Sequence, residues 1–141
     1  MTYEFFLADN TSELEECFPA FLELRPHLTK DAFLAQVERQ KVHAYKVLAL
    51  RHKGEIKSVA GFRTTEFLAW GKVLYIDDLS TEEKNRGHGY AGAIIDWLIA
   101  HARENHCNQV HLDTGFSRHA AHRLYLQKGF VLGSHHMSMV L

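Results

Sequence analysis

The sequence predicts an α/β fold of the α+β kind, with a mixed, mostly antiparallel sheet and helices packed on it. Three observations predict it. The strand-like runs Ala44–Arg51, Ile56–Phe67 and Lys72–Leu79 follow one another across short turns, the pattern of an antiparallel meander. After them the chain alternates helix, strand and helix, with a clean helical period over Gly89–Asn105. Its 141 residues, 46% of them hydrophobic, can bury one sizeable core, so a single domain spanning residues 1–141 is expected.

Tyr3–Ala8 reads as the first strand. Ser12 and Glu15 stand at capping-box spacing before a helix whose inner face carries Leu14, Cys17, Phe18, Phe21 and Leu22. Pro19 falls inside that helix, where it is expected to kink or shorten it, and Arg25-Pro26-His27 breaks it. Thr29 reads as the N-cap of a second helix, Lys30 to about Gln40, with Phe33, Leu34 and Val37 inward. The meander follows, its turns at His52–Glu55 and Ala69–Gly71. The long helix should bury Ala91, Ile94, Ile95, Leu98 and Ala102. Asn108–Asp113 is the fifth strand. Ser117 is placed as the cap of a helix Arg118–Lys128 ending on a left-handed Gly129, and Phe130–Leu132 and His135–Val140 are expected as closing strands.

The stretch Lys84-Asn-Arg-Gly-His-Gly89 lies between a strand and a helix. Free backbone N–H groups and the positive end of the helix dipole meet there, and Gly87 and Gly89 leave the backbone approachable. Such a turn binds phosphate, or it needs its glycines for geometry alone. Ala121-His-Arg-Leu-Tyr-Leu-Gln-Lys-Gly-Phe130 is the second motif; by itself Tyr125 reads first as a core aromatic with a wet hydroxyl. Taken together, 32 residues apart, the two motifs resemble those of the GNAT acetyltransferase superfamily. That family has a Gln/Arg-x-x-Gly-x-Gly/Ala turn after its fourth strand, then an Ala-x-x-x-Tyr helix ending in Gly-Phe.

The resemblance implies a sheet splayed between strands four and five, about four flanking helices, and acetyl-CoA as co-substrate. It implies that Arg86, Gly87, His88, Gly89, Tyr90 and Ala91 bind the pyrophosphate. It places Leu79 and Thr81 at the pantetheine and acetyl carbonyl, and Tyr125 as general acid toward the departing thiolate. Lys84 replaces the family's Gln or Arg, and Arg118 stands where an Asn often contacts pantetheine. Arg118–Leu126 is also similar, over a short span, to aminoalkylphosphonate N-acetyltransferases.

The residues agree with acyl transfer. Asp77 and Asp78, near the end of the third meander strand, should point to opposite faces, so one of them, Asp78 by preference, can accept the proton of an incoming ammonium. A tyrosine of ordinary pKa about 10 can protonate a thiolate of about 8.5. Glu66, Trp70 and Asp113 are candidates for the acceptor side. The expected reaction is direct transfer, in a ternary complex, to the primary amine of a small molecule. The alternatives are a CoA-binding regulatory module without turnover and a toxin acetylating aminoacyl-tRNA. A net charge of −1 gives no basic footprint for nucleic acid. No leader and no apolar run long enough for a membrane helix is seen, so a cytoplasmic protein is expected. Cys17 and Cys107 read as buried reduced thiols, the 11 histidines give no metal-ligand spacing, and a homodimer is expected by analogy alone.

Overall fold

A computed structural model describes residues 2–141. Its five strands, β1 (Glu4–Ala8), β2 (Lys46–His52), β3 (Glu55–Phe67), β4 (Gly71–Ser80) and β5 (Gln109–Leu112), form one sheet in sequence order. All neighbours pair antiparallel except β4 and β5, which run parallel. Helices α1 (Thr11–Leu24) and α2 (Lys30–Lys41) link β1 to β2, α3 (Tyr90–Glu104) crosses from β4 to β5, and α4 (His119–Gln127) follows β5.

The sheet separates two cores, because alternate residues of each strand face opposite ways. Leu14, Cys17 and Phe21 of α1 and Phe33 and Val37 of α2 pack on Val47, Ala49 and Val59. On the other face Tyr90, Ile94, Leu98 and Ala102 of α3 pack on Leu48, Leu50, Phe62, Leu74 and Ile76. Ala91 is only partly buried and Tyr90 takes its place in the core, a shift of one residue in the helical stripe.

β4 and β5 pair only from Val73–Gln109 to Ile76–Leu112, yet β4 runs on to Ser80. The two strands therefore part after Ile76, and among the described residues the β5-side edge of Asp77–Ser80 carries no ladder partner. This is the expected splay.

Several local expectations are corrected. The capping box is made by Asn10 and Glu13, not Ser12 and Glu15, so α1 starts two residues earlier. Pro19 does not end α1, which continues to Leu24 with Ala20 and Phe21 buried beyond it. Leu22 lies toward solvent. Arg118, not Ser117, is the N-cap of α4, and it supplies no side-chain bond. Cys107 is half-buried, although Cys17 is fully buried. The strands expected at Phe130–Leu132 and His135–Val140 are absent, and Val131, Leu132, Met137, Met139 and Val140 stand exposed. A strand needs a ladder partner for its N–H and C=O groups, and the four-residue β5 pairs only with β4.

Candidate active site

Three features make up the candidate site, the first two at the splayed end of β4 and the third on α4. The first is a pair of carboxylates. Gly61 of β3 pairs with Asp78 and Phe62 with Ile76, so Asp77 is an extra, bulged residue on β4. A bulge resets the alternation of side chains. Asp77 and Asp78 therefore share the face that α1 covers, and the expectation of opposite faces is overturned. The contacts agree. Arg25, the C-cap residue of α1, donates from Nε and Nη2 to Asp78 Oδ1 at 3.1 and 3.0 Å. Arg63 of β3 grips Asp77 from Nε at 3.1 Å and from Nη2 at 2.5 Å.

Tyr45 completes the arrangement by donating to Asp78 Oδ2 at 2.6 Å, while the Arg63 guanidinium lies 5.4 Å from its ring centre. Both oxygens of Asp78 are thus occupied by separate donors. Asp77 has both oxygens engaged as well, but by the single guanidinium of Arg63. Burial raises the Asp77 pKa above the ordinary carboxylate value against the lowering pull of Arg63, and the Asp78 charge adds to the rise.

Gly61 exists for this cluster. A Cβ there would overlap the Tyr45 hydroxyl and crowd Asp78 Oδ2. Tyr45 is buried, so its ring has little room to withdraw. Gly61→Ala is expected to cost about 1–3 kcal/mol of stability through overpacking. A thermal melt matching wild type would mean that the ring relocates freely.

The second feature is the turn ahead of α3. Gly87 and Gly89 have φ of 81° and 82°, and Gly89 caps α3 without any side-chain bond. The N–H groups of Gly87 through Gly92 find no protein acceptor among the described residues. A Cβ on either Gly87 or Gly89 would meet nothing within 4 Å, so the backbone is open to a ligand. It borders a groove of about 550 Å³ whose walls include Thr81, Arg86, Ala91, Leu124 and Lys128. Arg86 is anchored by its own bond to the Thr81 carbonyl at 3.1 Å and lies 3.5 Å from Glu23. Lys128 reaches the groove from α4 and pairs with Asp96 at 2.8 Å. Unsatisfied donors, a helix N-terminus and two cations fit a phosphate-bearing ligand.

The remaining residues of the turn serve its frame. Tyr90 is buried and its hydroxyl bonds His52 Nδ1 at 2.8 Å, while the His88 ring bonds the Asn85 carbonyl at 3.1 Å. Thr81 meets Ser58, Leu79 packs against the α3-side core, and Arg118 is exposed and outside the groove walls.

The third feature is Tyr125 on α4. The helix ends in a Schellman motif: Phe130 N–H bonds the Tyr125 carbonyl, Gly129 N–H bonds the Leu126 carbonyl, and Gly129 has φ of 98°. Phe130 then packs edge-on to Tyr125, with ring centres 5.9 Å apart. The Gly-Phe word thus fixes the tyrosine ring. Among the described residues its hydroxyl has no hydrogen-bond partner, and burial raises its pKa, with Arg118 pulling the other way. Burial pushes the Cys17 thiol up to about 12, so it is no nucleophile.

Of the acceptor candidates, Trp70 and Asp113 share the carboxylate face, whereas Glu66 falls in register with Phe62 on the opposite one. Sequence reasoning missed Arg25, Tyr45, Arg63 and Lys128. An isolated glycine inside a strand run, Gly61, was the one available signal of a bulge or close approach.

The acetyltransferase (GNAT) family profile matches residues 7–130. The chain is 32% identical over 126 residues to the uncharacterized N-acetyltransferase YhdJ of Bacillus subtilis strain 168, covering 87% of this chain and 88% of that one. Among solved structures, a transcriptional regulator from Bacillus halodurans C-125 superposes with a TM-score of 0.87 at 20% identity, over 99% and 100% of the two chains. The aminoglycoside acetyltransferase AAC(6')-Iy, in complex with a bisubstrate analogue, superposes with a TM-score of 0.84 at 15% identity, over 100% and 99%. The chain belongs to the GNAT acetyltransferase family. It is an acetyl-CoA-dependent acyltransferase of the N-acetyltransferase kind.

Proposed function

We propose that residues 1–141 act as one cytoplasmic domain that moves the acetyl group of acetyl-CoA directly to the primary amine of a small molecule, with both substrates bound together. The observation that carries this reading is continuity. The unpaired β4 edge, Asp77–Ser80, runs directly into Thr81 and the groove of free N–H groups, and the carboxylate pair stands at its start. On this reading the N–H groups of Gly87, His88, Gly89, Tyr90 and Ala91 hold the pyrophosphate, and Arg86, whose own N–H is bonded to the Glu83 carbonyl, contributes its guanidinium. Leu79 and Thr81 hold the pantetheine arm and acetyl carbonyl. Arg118 is assigned to the arm as well, although it lies outside the groove walls.

Acetyl-CoA supplies an activated acyl carbon and a thiolate leaving group. Asp77 accepts the proton that the ammonium gives up, so that the amine nitrogen can form its bond to the acyl carbon. Tyr125 donates a proton to the sulfur as the carbon–sulfur bond breaks, and the second proton that the nitrogen loses on becoming an amide returns to the Tyr125 oxygen through solvent. Asp78, held by two separate donors, positions Arg25 and Tyr45 beside the reacting carboxylate.

The test is product stoichiometry with a panel of amines and acetyl-CoA. Thiol release equal to N-acetylated product supports the proposal, and tight binding with no product from any amine defeats it. The role of Asp77 has its own pH signature. Asp77 must be ionised to act, so kcat/KM is lost as pH falls through its pKa, which burial holds above the ordinary 3.8. Asp77→Asn should lower kcat/KM by about a hundredfold and abolish that acidic limb. An unchanged limb in the variant moves the base elsewhere.

A further inference from the structure

We infer that the acceptor is an arylalkylamine, an ammonium joined to an aromatic ring by a short linker, held by Asp113 and a row of rings on the sheet face beside Asp77. The inference rests on the acetyl-transfer reading above and concerns which amine enters.

The row follows from register. Tyr75 lies two residues before Asp77 on β4 and pairs with His111 of β5. Tyr75 aligns with Arg63 across β3, and Arg63 grips Asp77, so all share the carboxylate face. Trp70 stacks on His111 with ring centres 4.1 Å apart and planes 29° apart, and Phe67 packs against Trp70 at 4.9 Å. A row of rings thus leads from the carboxylates toward the β3–β4 turn. Among the described residues the apolar core under α1 and α2 draws none from β4 or β5; Val73 on this face is nonetheless buried, and the open surface here is that of the rings themselves. Phe67 and Trp70 are each 37% exposed, large aromatic surface that the fold itself does not bury.

Charge selects the other end of the ligand. Asp77 is matched by Arg63 and Asp78 by Arg25. Asp113, two residues beyond His111, accepts from the Tyr75 hydroxyl, and its other partner is His136 Nδ1 at 3.2 Å. No lysine or arginine pairs with it among the described residues. It is the carboxylate at the splay without a permanent counter-ion, and half of its side chain is open to solvent. A ligand cation completes it. Asp113 lies two strand residues past the His111 level, roughly 6.6 Å at the rise of a strand, so a short linker spans ammonium to ring. An aliphatic polyamine satisfies the carboxylate and leaves the rings unused. An arylalkylamine uses both, by ion pairing at one end and stacking at the other.

The experiment compares 2-phenylethylamine, 2-cyclohexylethylamine and putrescine under saturating acetyl-CoA. We expect kcat/KM for 2-phenylethylamine to exceed that for its cyclohexyl counterpart by about tenfold, the scale of an aromatic contact. Trp70→Ala should level that ratio, raising KM for the aromatic amine more than it changes kcat. Asp113→Asn should raise KM for 2-phenylethylamine about tenfold or more, with Asp113→Glu restoring part of it, which a merely structural role would not show. Preference for putrescine, or an unmoved KM in Trp70→Ala, overturns the inference and leaves acetyl transfer standing. If no amine is acetylated, the function falls. Calorimetric titration of 2-phenylethylamine into CoA-loaded protein, wild type against Trp70→Ala, then decides the ring site by itself: heat lost in the variant supports it and no heat in wild type overturns it.

Discussion

Tyr125→Phe is expected to lower kcat by about a hundredfold at neutral pH while leaving the melting temperature and the KM for acetyl-CoA nearly unchanged. The expectation of an intact fold comes from bonding. The Tyr125 hydroxyl donates to none of the described residues, so its removal orphans no partner among them, and the ring keeps its contact with Phe130. The Schellman turn that aims the ring uses backbone groups of residues 125 to 130 and is indifferent to the hydroxyl. The expectation of slow turnover comes from proton supply. Burial raises the phenol's pKa, so it stays protonated throughout the neutral range and is available to the departing sulfur in every turnover. Steady-state kinetics decide it: a change within twofold at pH 7 removes Tyr125 from the proton path.

What could be read in the sequence was what local chemistry determines. The α3 stripe, the glycine turn before it and the Gly129-Phe130 ending each depend on neighbours within a few residues, and each is present in the structure. The carboxylate arrangement is another matter. It depends on a bulge created when β3 and β4 pair, and on Arg25, which is 53 residues from Asp78 in the chain. Periodicity treats Asp77 and Asp78 as neighbours on a regular strand and so assigns them opposite faces; pairing puts them together. The same limit explains the C-terminal runs, whose composition suits a strand but whose pairing partner no local pattern can specify. At the start of α1, Asn10-x-x-Glu13 and Ser12-x-x-Glu15 satisfy one spacing rule, and only the end of β1 at Ala8 selects the earlier pair.

Gly89→Glu is expected to weaken acetyl-CoA binding by a hundredfold or more without unfolding the protein. Two effects on the fold oppose each other. A side chain at φ 82° costs about 1–2 kcal/mol. A carboxylate at the N-terminus of α3 returns about 0.3–1 kcal/mol through the helix dipole, and the new Cβ meets open space. The net cost to the fold is therefore small. For the ligand both effects are unfavourable. The new carboxylate competes for the free N–H groups of Gly87 to Gly92 and places negative charge where the phosphates must lie. Gly89→Ala separates the causes: it carries the backbone strain without the charge, so its affinity should fall far less than that of Gly89→Glu. Calorimetric titration with CoA measures both variants. Equal losses would assign the effect to the backbone, and no loss in Gly89→Glu would mean that the phosphates bind elsewhere than at the α3 turn.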